Sequence, residues 1–415
     1  MLPEEYNADR PLVMHIDLNS CFATVEQQSR PMLRGRPVAV VNRRTENTAI
    51  VTASYEAKAY GVKVGMRVRE AKLLVPDLIL VESDPPKYRY VYHKLLAIMN
   101  AYSAQITMKS IDEGIIDFHQ TTAAIRGRDL KDIGREIKQR LKDEVGCAMR
   151  CNVGISTNRF LAKTAAGLHK PDGLDEINHA NLRLTLASLR LTDLTGIARH
   201  NERRLNAVGI YTPLEFLDAS SVALSKTVFK SMCGDQWHQR LRGYEVDDTT
   251  SEVKTVGRQY VLERFDLERS EIIQRLHHLC ESVGGRLRSH GKAARGVLVY
   301  AKTFDHRNRY WHARRMCELP FFSNSAIFAQ ASLLFSGAPT GSTIKEIGVT
   351  CYGLSDGLDD QLSLFGDQLA REQHITQVID AINGRFGERT IHSLDTLGTG
   401  IYVKQKIPFG STRYL

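Results

Sequence analysis

Three carboxylates stand beside apolar segments where a charge needs a partner. Asp17 ends the apolar run 12–16, and Asp112 and Glu113 lie within the apolar segment 110–117. A charge inside a buried strand costs on the order of several kcal/mol unless it is compensated. Mg²⁺ prefers carboxylate oxygens. Two such ions about 4 Å apart would activate an attacking hydroxyl and neutralise a leaving pyrophosphate in phosphoryl transfer.

Each of these motifs also has a simpler interpretation. Asp112 and Glu113 could form a solvated turn, and Asp17 could cap the helix that follows it. For either motif alone the two interpretations are about even. A metal site is favoured when the motifs are taken together, because one sheet could bring their strands side by side.

The segments that would position the carboxylates alternate between strand and helix patterns over 12–178. An apolar run followed by a helical pattern predicts strand, turn and helix around Asp17. A hairpin is predicted over 104–118, a helix over 130–145 and a strand over 150–156. These predict an α/β or α+β domain built on one sheet.

The rest of the chain divides into three further parts. The pattern is helical from 181 to 243, and the polar stretch 247–251 is a candidate linker. Between 256 and 352 the order is strand, helix, strand, strand, helix, strand, which is typical of a split βαβ domain. A mixed tail, 356–415, completes the chain.

The positive charge is concentrated in one segment. The formal net charge is +9, which fits a polyanionic partner. From Lys254 to Arg315 there are fourteen Lys and Arg against six Asp and Glu. A run of charge is usually only a solvated face, but here nearly the whole excess lies in one predicted domain. That distribution indicates a surface for phosphates.

Composition narrows the class of protein. At roughly 150 residues per domain, the 415 residues suggest two to four domains. No apolar run approaches the roughly 18 residues of a membrane span, and the polar N-terminus lacks a signal-peptide pattern. We therefore expect a cytoplasmic protein without a membrane partner. The seven dispersed cysteines are not typical of a disulfide framework.

Several motifs together resemble one known family. The segment Asp17–Glu26 resembles the first motif of Y-family DNA polymerases, low-fidelity enzymes that copy damaged templates, and Ser110–Glu113 resembles their second motif. The resemblance continues in the same order through 52–61, 153–158, 161–163 and 169–173, and more loosely to about residue 355. The polymerase V catalytic subunit has a similar asparagine after its first aspartate, at the position of Asn19 here. The resemblance therefore leaves open whether the chain belongs to the polymerase IV or the polymerase V branch.

The resemblance implies a fold and an activity. The expected fold is an α/β and α+β multidomain right hand with a catalytic palm, small fingers, a helical thumb and a βαββαβ little finger domain. The expected activity is template-directed addition of deoxynucleotides to a primer 3′-hydroxyl during translesion synthesis. The implied boundaries are palm 1–20 and 86–178, fingers 21–85, thumb 179–247, linker 248–255, little finger 256–355 and tail 356–415.

The resemblance also implies the cofactor ligands. Asp17, Asp112 and Glu113 match the residues that hold two Mg²⁺ ions, with Mn²⁺ as an alternative, and the backbone carbonyl of Leu18 matches a further ligand. Asn19 replaces a frequent aspartate, which leaves one negative charge fewer near these metals.

Four further residues match positions that face the incoming deoxynucleoside triphosphate. Phe22 matches the aromatic steric gate that excludes a ribose 2′-hydroxyl, and Tyr55 and Lys58 match finger residues that hold the triphosphate. Lys170 matches a palm lysine that reaches the phosphates. Lys58 stands where arginine is common, so bidentate contact with a phosphate is lost. Considered singly, each residue would more simply be a core or surface position.

Two regions are expected to grip primer-template DNA. Segment 194–198 resembles the hairpin of a helix-hairpin-helix element, in which backbone N–H groups near Gly196 and Ala198 would face a phosphate. The basic segment resembles the little finger domain, which would contact the DNA backbone without reading its sequence. The candidate DNA-binding residues there are Arg258, Arg286, Arg288, Lys292, Arg295, Arg307, Arg309 and Arg314.

A short motif in the tail predicts a protein partner. Gln361, Leu362, Leu364 and Phe365 resemble the pentapeptide that binds the bacterial sliding clamp. An exposed apolar motif among acidic residues is costly unless a partner covers it. The alternative is a short strand packed on the little finger domain. Apart from the clamp, we expect a monomer.

Two other functions remain in competition. A catalytically weak or inactive polymerase-like accessory protein could bind DNA and the clamp, but such paralogues lose the carboxylates that are present here. A structural DNA-binding protein would explain the basic segment but not the acids beside apolar strands. The residues therefore favour an active DNA-directed DNA polymerase.

Overall fold

The computed structural model describes residues 5–248, 252–304, 309–339, 343–356 and 367–403, with side chains from 371 onward in the last range. The chain separates into two compact units, one within Met1–Thr249 and one within Thr250–Gln405. Each unit is described by itself below. Among the described residues, no helix is long and apolar enough to cross a membrane.

Strands and helices alternate through the first two-thirds of the first unit. The strands are β1 (Val13–Leu18), β2 (Val38–Val41), β3 (Ile50–Ala53), β4 (Ile79–Glu82), β5 (Ile106–Met108), β6 (Glu113–Asp117), β7 (Cys151–Ser156) and β8 (Leu174–Glu176). The helices among them are α1 (Cys21–Ser29), α2 (Tyr55–Ala59), α3 (Val68–Leu74), α4 (Pro85–Asn100), α5 (Ala123–Arg126), α6 (Leu130–Glu144) and α7 (Arg159–Leu168). The predicted hairpin is β5 and β6, which pair antiparallel.

The main sheet has the strand order β5-β6-β1-β7-β8, so β1 lies at its centre. Successive side chains of β1 point to opposite faces. Met14 and Ile16 enter the core formed with α4 and α6. Val13 packs on the other face against Ala162 of α7. His15 and Asp17 therefore share the face that α7 covers.

Helix α7 lies directly on the sheet because β7 carries a glycine beneath it. A Cβ on Gly154 would lie 2.0 Å from the Ala162 carbonyl oxygen and 2.2 Å from the Ala166 nitrogen. Any side chain there would push the helix away. The glycine thus fixes how closely α7 approaches the face that carries Asp17.

The prediction of one sheet over 12–178 is wrong. Strands β2, β3 and β4 form a separate sheet of order β3-β2-β4, packed with α2 and α3 around its own small core. Both edges of β1 are already paired, with β6 and β7. No edge of β1 is left for β2, so the apolar run 38–41 pairs with β3 and β4 instead.

The predicted helical segment after β8 is confirmed. It contains α8 (Leu182–Ala187), α9 (Arg199–Asn206), α10 (Pro213–Asp218) and α11 (Cys233–Leu241), with a π-helical turn at Ala223–Val228. Its core surrounds Trp237, whose ring meets Phe160 of α7 edge-on at a centroid distance of 5.3 Å. That contact joins the helical segment to α7.

The second unit has the predicted split βαβ plan. Its elements in chain order are β9 (Thr255–Val261), α12 (Arg269–Ser289), β10 (Lys292–Thr303), β11 (Tyr310–Phe321), α13 (Asn324–Phe335) and β12 (Ile344–Asp356). The sheet order is β11-β10-β12-β9, with antiparallel pairs throughout. Helices α12 and α13 share its hydrophobic core.

The tail adds a helix that the sequence pattern did not predict, α14 (Asp367–Phe386). Arg288 of α12 donates to both carboxylate oxygens of Asp380 at 2.6 and 2.7 Å. Further along the tail, Ser393 donates its backbone N–H to Glu281 at 2.8 Å, and Val403 enters the hydrophobic core. The described part of the tail, 367–403, therefore belongs to the second unit.

Candidate active site

The two acidic motifs meet at one end of the central strands. Asp17 of β1 stands opposite Glu113 of β6 in the strand register. The Leu18 backbone N–H donates to the carbonyl oxygen of Asp112 at 2.8 Å. The Ser110 hydroxyl donates to the Asp112 carboxylate. The structure thus brings together the three predicted carboxylates and the Leu18 backbone.

The carboxylates influence one another electrostatically. Burial raises the pKa of Asp112, the Ser110 hydroxyl opposes this, and the charges of Asp17 and Glu113 raise it further. Burial also raises the pKa of Glu113, but the adjacent His15 and Lys163 outweigh it and hold the pKa at about 2. Glu113 is therefore the firmly ionised member, while Asp112 needs more positive charge.

Two lysines supply positive charge to this cluster. Lys170 forms an ion pair with Asp17. Lys163 of α7 donates to both oxygens of Glu113 at 2.9 and 2.7 Å. Within the described residues, no group of three His, Cys, Asp or Glu side chains is arranged as a metal centre. Because these acids attract cations and offer hard oxygen donors, their chemistry still fits divalent ions.

Asn19 fastens the loop that carries Lys170 next to the carboxylates. Its side chain donates to Asn152 at 2.8 Å and accepts the Asp172 N–H at 2.8 Å. Asn152 in turn donates to the carbonyl oxygen of His169 at 3.1 Å. The amide of Asn19 therefore acts as both donor and acceptor, which a carboxylate could not do.

Tyr55 and Lys58 converge with Lys170 near Asp17. The Lys58 ammonium donates to the Ser20 hydroxyl at 2.7 Å and lies 4.8 Å from the centre of the Tyr55 ring. Burial lowers the pKa of Lys58, the charge of Lys170 lowers it further, and Asp17 opposes both. Two ammonium groups that repel each other across a carboxylate form a suitable pocket for a polyphosphate.

Phe22 is buried at the start of α1, and its ring has a fixed orientation. It stacks on Tyr88 of α4 at a centroid distance of 4.1 Å and an interplanar angle of 8°. The Tyr88 hydroxyl donates to Glu26 at 3.1 Å, and Lys87 donates to the same carboxylate at 3.1 Å. Glu26 is 0% exposed. The position of the Phe22 ring is thus set by Tyr88, which is held by the buried Glu26 one helical turn away.

Sequence reasoning missed several residues of this site. His15 and Tyr88 touch the predicted residues directly but were not predicted, and Lys163 lies in the matched segment 161–163 but was given no role. For His15 a signal existed, because strand alternation places it on the same face as Asp17. For Lys163 and Tyr88 the signal lies in the placement of α7 and α4, which no local pattern specifies.

The predicted helix-hairpin lies in the helical segment. Gly196 has a φ of 98°, the left-handed region that favours glycine, and Asn201 donates to its carbonyl oxygen at 2.9 Å. Ala198 is the N-cap of α9 and has no side chain that could cap the helix. Residues 192–199 and Glu202 line an open hollow at this turn.

Four of the basic residues predicted to contact DNA are engaged within the second unit. Arg288 is 12% exposed and also donates to the Phe322 carbonyl oxygen at 2.9 Å. Arg286 donates to the Gly257 carbonyl oxygen at 3.2 Å, Arg258 to the Ser282 hydroxyl, and Lys292 pairs with Asp356.

Three other predicted DNA-binding residues, Arg295, Arg309 and Arg314, are exposed. Arg307 lies outside the described residues, as do Gln361, Leu362, Leu364 and Phe365 of the clamp-binding motif. The predicted DNA contacts of the arginines and the predicted clamp binding of the motif therefore stay predictions.

Comparison with known proteins identifies the family. The family model described as impB/mucB/samB matches residues 16–167, and the model for the C-terminal domain of the same family matches 253–364. The chain is 33% identical to DNA polymerase IV of Moorella thermoacetica, over 94% of this chain and 97% of that protein. It is 28% identical to DNA polymerase IV 1 of Bacillus subtilis, over 93% of each.

A solved structure agrees with the fold. A Y-family DNA polymerase chimera of Dbh and Dpo4 superposes with a TM-score of 0.70 at 23% identity, covering 83% of this chain and 99% of the chimera. The predicted fold class, a multidomain polymerase with a mixed α/β core and a little finger domain, is confirmed. With both family models matched in order along more than half of its length, this chain belongs to the Y-family DNA polymerases.

Proposed function

We propose that this Y-family enzyme performs translesion synthesis with the assembled carboxylates as its catalytic centre. It adds deoxynucleotides to the 3′-hydroxyl of a primer on a DNA template and releases pyrophosphate. The single observation that supports this site most directly is the strand register that sets Asp17 opposite Glu113, with Asp112 bonded to the Leu18 backbone.

Y-family polymerases depend on metal ions, and the proposed ligands are Asp17, Asp112, Glu113 and the Leu18 carbonyl. Two Mg²⁺ ions, or Mn²⁺ in their place, would lower the pKa of the primer hydroxyl and offset charge on the leaving pyrophosphate. The chain's own part is to hold three acids together in spite of their mutual repulsion. Lys163 and Lys170 offset that repulsion before any cation arrives.

Tyr55, Lys58 and Lys170 are proposed to hold the triphosphate of the incoming nucleotide. Lys170 would then exchange its carboxylate partner for phosphate oxygens, which a flexible point charge can do. The ring of Phe22, fixed by Tyr88, would exclude a ribose 2′-hydroxyl. A sugar lacking that hydroxyl avoids the clash, so deoxynucleotides are preferred.

DNA contacts are proposed at two surfaces. The backbone around Gly196 and Ala198 would meet one phosphate, and the exposed Arg295, Arg309 and Arg314 would meet others. Arg288 is left out because its side chain is already shared among partners in its own domain. The pentapeptide 361–365 is proposed to bind the sliding clamp of a bacterial cytoplasm, with the polymerase otherwise monomeric.

Primer extension on plain and damaged templates tests the catalytic assignment. The Asp112→Ala plus Glu113→Ala variant should lose extension, whereas Asp117→Asn, on the same strand but outside the cluster, should retain it. Equal extension by the double variant and the native chain would reject the metal assignment. Absence of extension by the native chain, even with clamp present, would favour an accessory role.

Two further variants test the nucleotide and clamp assignments separately. Phe22→Ala should raise ribonucleotide incorporation, and an unchanged ratio of ribonucleotide to deoxynucleotide use would reject the steric gate. Leu364→Ala plus Phe365→Ala should weaken binding to purified clamp while extension without clamp stays unchanged. Undiminished clamp binding by this variant would reject the pentapeptide.

A further inference from the structure

A buried histidine lies beside the metal-ligand cluster. His15 belongs to β1 two residues before Asp17, and its side chain is 1% exposed. Its cross-strand neighbours are Ile115 on β6 and Gly154 on β7. The backbone of α7 lies directly on Gly154 and closes this part of the sheet from water. The imidazole is therefore held on the active face without access to solvent.

The imidazole faces the carboxylate of Glu113. Its Nε2 lies 3.4 Å from Glu113 Oε2, slightly longer than a normal hydrogen bond. Within the described residues, neither ring nitrogen of His15 meets a closer partner. An unsatisfied buried polar group costs about 1–3 kcal/mol. Packing alone therefore does not account for this histidine, whereas the carboxylate in front of it offers its Nε2 a partner.

Among the described residues, Lys163 and His15 both face the Glu113 carboxylate, and a bound cation would affect them differently. Lys163 is charged and 34% exposed at its side chain. A divalent ion on Glu113 would repel that ammonium, which can move into water. The His15 side chain is 1% exposed, so it cannot move into water as the ammonium can. His15 is therefore the partner that can stay when Lys163 leaves.

We propose that His15 is a positioning residue for the metal site, donating its Nε2–H to Glu113 and holding that carboxylate in its ligand orientation. This inference rests on the proposed metal role of Glu113. Mutating a residue that hydrogen-bonds to a metal ligand typically lowers the affinity for the metal about 10- to 100-fold. The role requires an N–H donor at the Nε2 position.

Metal binding can be measured without chemistry. The full chain is combined with a dideoxy-terminated primer-template and the next deoxynucleoside triphosphate, and free Mn²⁺ is followed by its electron paramagnetic resonance signal. His15→Met, which lacks a donor, should bind Mn²⁺ about tenfold more weakly. His15→Gln, with an N–H at a similar distance, should stay within about threefold of the native chain. Val13→Ala, on the same face of the same strand, is the packing control.

The outcomes separate this inference from the proposed function. Equal Mn²⁺ affinity of the Met and Gln variants overturns the positioning role, as does native affinity of His15→Met while Glu113→Gln binds weakly. If Glu113→Gln binds Mn²⁺ as the native chain does, the metal role of Glu113 itself fails. Thermal unfolding identifies variants that do not fold. His15→Leu is then the second donorless variant, and native Mn²⁺ affinity in it likewise overturns the role.

Discussion

The carboxylate end of the first unit and the basic segment of the second were both predicted from charged residues, yet they differ in the structure. Around Asp17 the predicted residues converge on one place. In the second unit, Arg288 and Lys292 are paired with acids of their own domain. A sequence motif therefore predicted which charged residues lie together, whereas the net charge of a segment did not predict which of its basic residues are available to DNA.

The difference has a physical cause. Asp17, Asp112 and Glu113 repel one another, and they remain together because the strands fix them there and two lysines offset the repulsion. Arginines on α12 can lower their free energy by finding nearby carboxylates and carbonyl groups, and Arg288 finds Asp380. A basic residue is therefore a candidate for DNA contact only when the fold has left it exposed.

The largest expected effect lies at the carboxylate end. Asp17→Asn keeps the shape but removes one charge from the proposed metal ligands, so several kcal/mol of charge stabilisation are lost and extension should fall at least about 10³-fold. Single-turnover primer extension measures this. Asp117→Asn removes the same charge from β6 beyond the cluster and should extend normally. A loss of only a few-fold in Asp17→Asn would place the essential charge elsewhere.

Removing Arg288 should act on stability and not on DNA affinity. Arg288→Ala leaves Asp380 and the Phe322 carbonyl without their donor, which we expect to cost about 2–3 kcal/mol because Asp380 is partly solvated. Hydrogen exchange of α14 amides should then rise about 30-fold or more. Arg295→Ala is the matched control and should leave exchange unchanged. Weakened DNA binding by folded Arg288→Ala would indicate that Arg288 contacts DNA after all.

The fold and the candidate site could be predicted from the sequence only in part. The strand-turn-helix at Asp17, the hairpin at Asp112 and the split βαβ plan were predicted because each depends on local periodicity. The separate sheet of β2–β4 was not, since it depends on which strand edges remain free. Lys163 and α14 were missed because their contacts, to Glu113 and Arg288, join residues far apart in the chain.

Acid should loosen the second unit through a buried histidine beside the tail. His278 is 1% exposed, and its Nδ1 lies 2.8 Å from the Thr399 hydroxyl. Burial lowers its pKa, nearby Arg389 and Arg258 lower it further, and the result is about 3. In the unfolded chain a histidine titrates at about 6.5. Stability is therefore complete above that pH and falls as the pH drops toward 3, because only the unfolded state takes up the proton.

At about pH 5 the expected loss from His278 is about 2 kcal/mol at most. Hydrogen exchange of α14, corrected for its intrinsic pH dependence, measures this loss between about pH 7.5 and about pH 5. His278→Gln keeps a polar group opposite Thr399 but cannot titrate there, so its pH dependence should be flatter. An equally steep profile in His278→Gln would assign the acid sensitivity to another group.

The smallest expected effect concerns the exposed arginines. Arg314→Ala should leave unfolding unchanged, since its side chain is exposed on β11. If it meets one DNA phosphate, the slope of log affinity against log salt should decrease by about 0.9, with a modest loss of affinity. Fluorescence anisotropy of labelled primer-template between about 50 mM and about 200 mM salt measures this slope.

Lys292 provides the matched comparison for that slope. Its charge is similar and it begins β10, which pairs with the strand that carries Arg314, but it is paired with Asp356. Lys292→Ala should change the salt slope less than Arg314→Ala does, because a cation already paired with a carboxylate releases fewer ions from DNA. Equal slopes for the two variants would mean that DNA opens the Lys292 pair. Exposure in the free enzyme would then not identify the residues that contact DNA. Paired and exposed basic residues of the second unit would behave alike, and only the carboxylate cluster would keep in function the arrangement seen in the free enzyme.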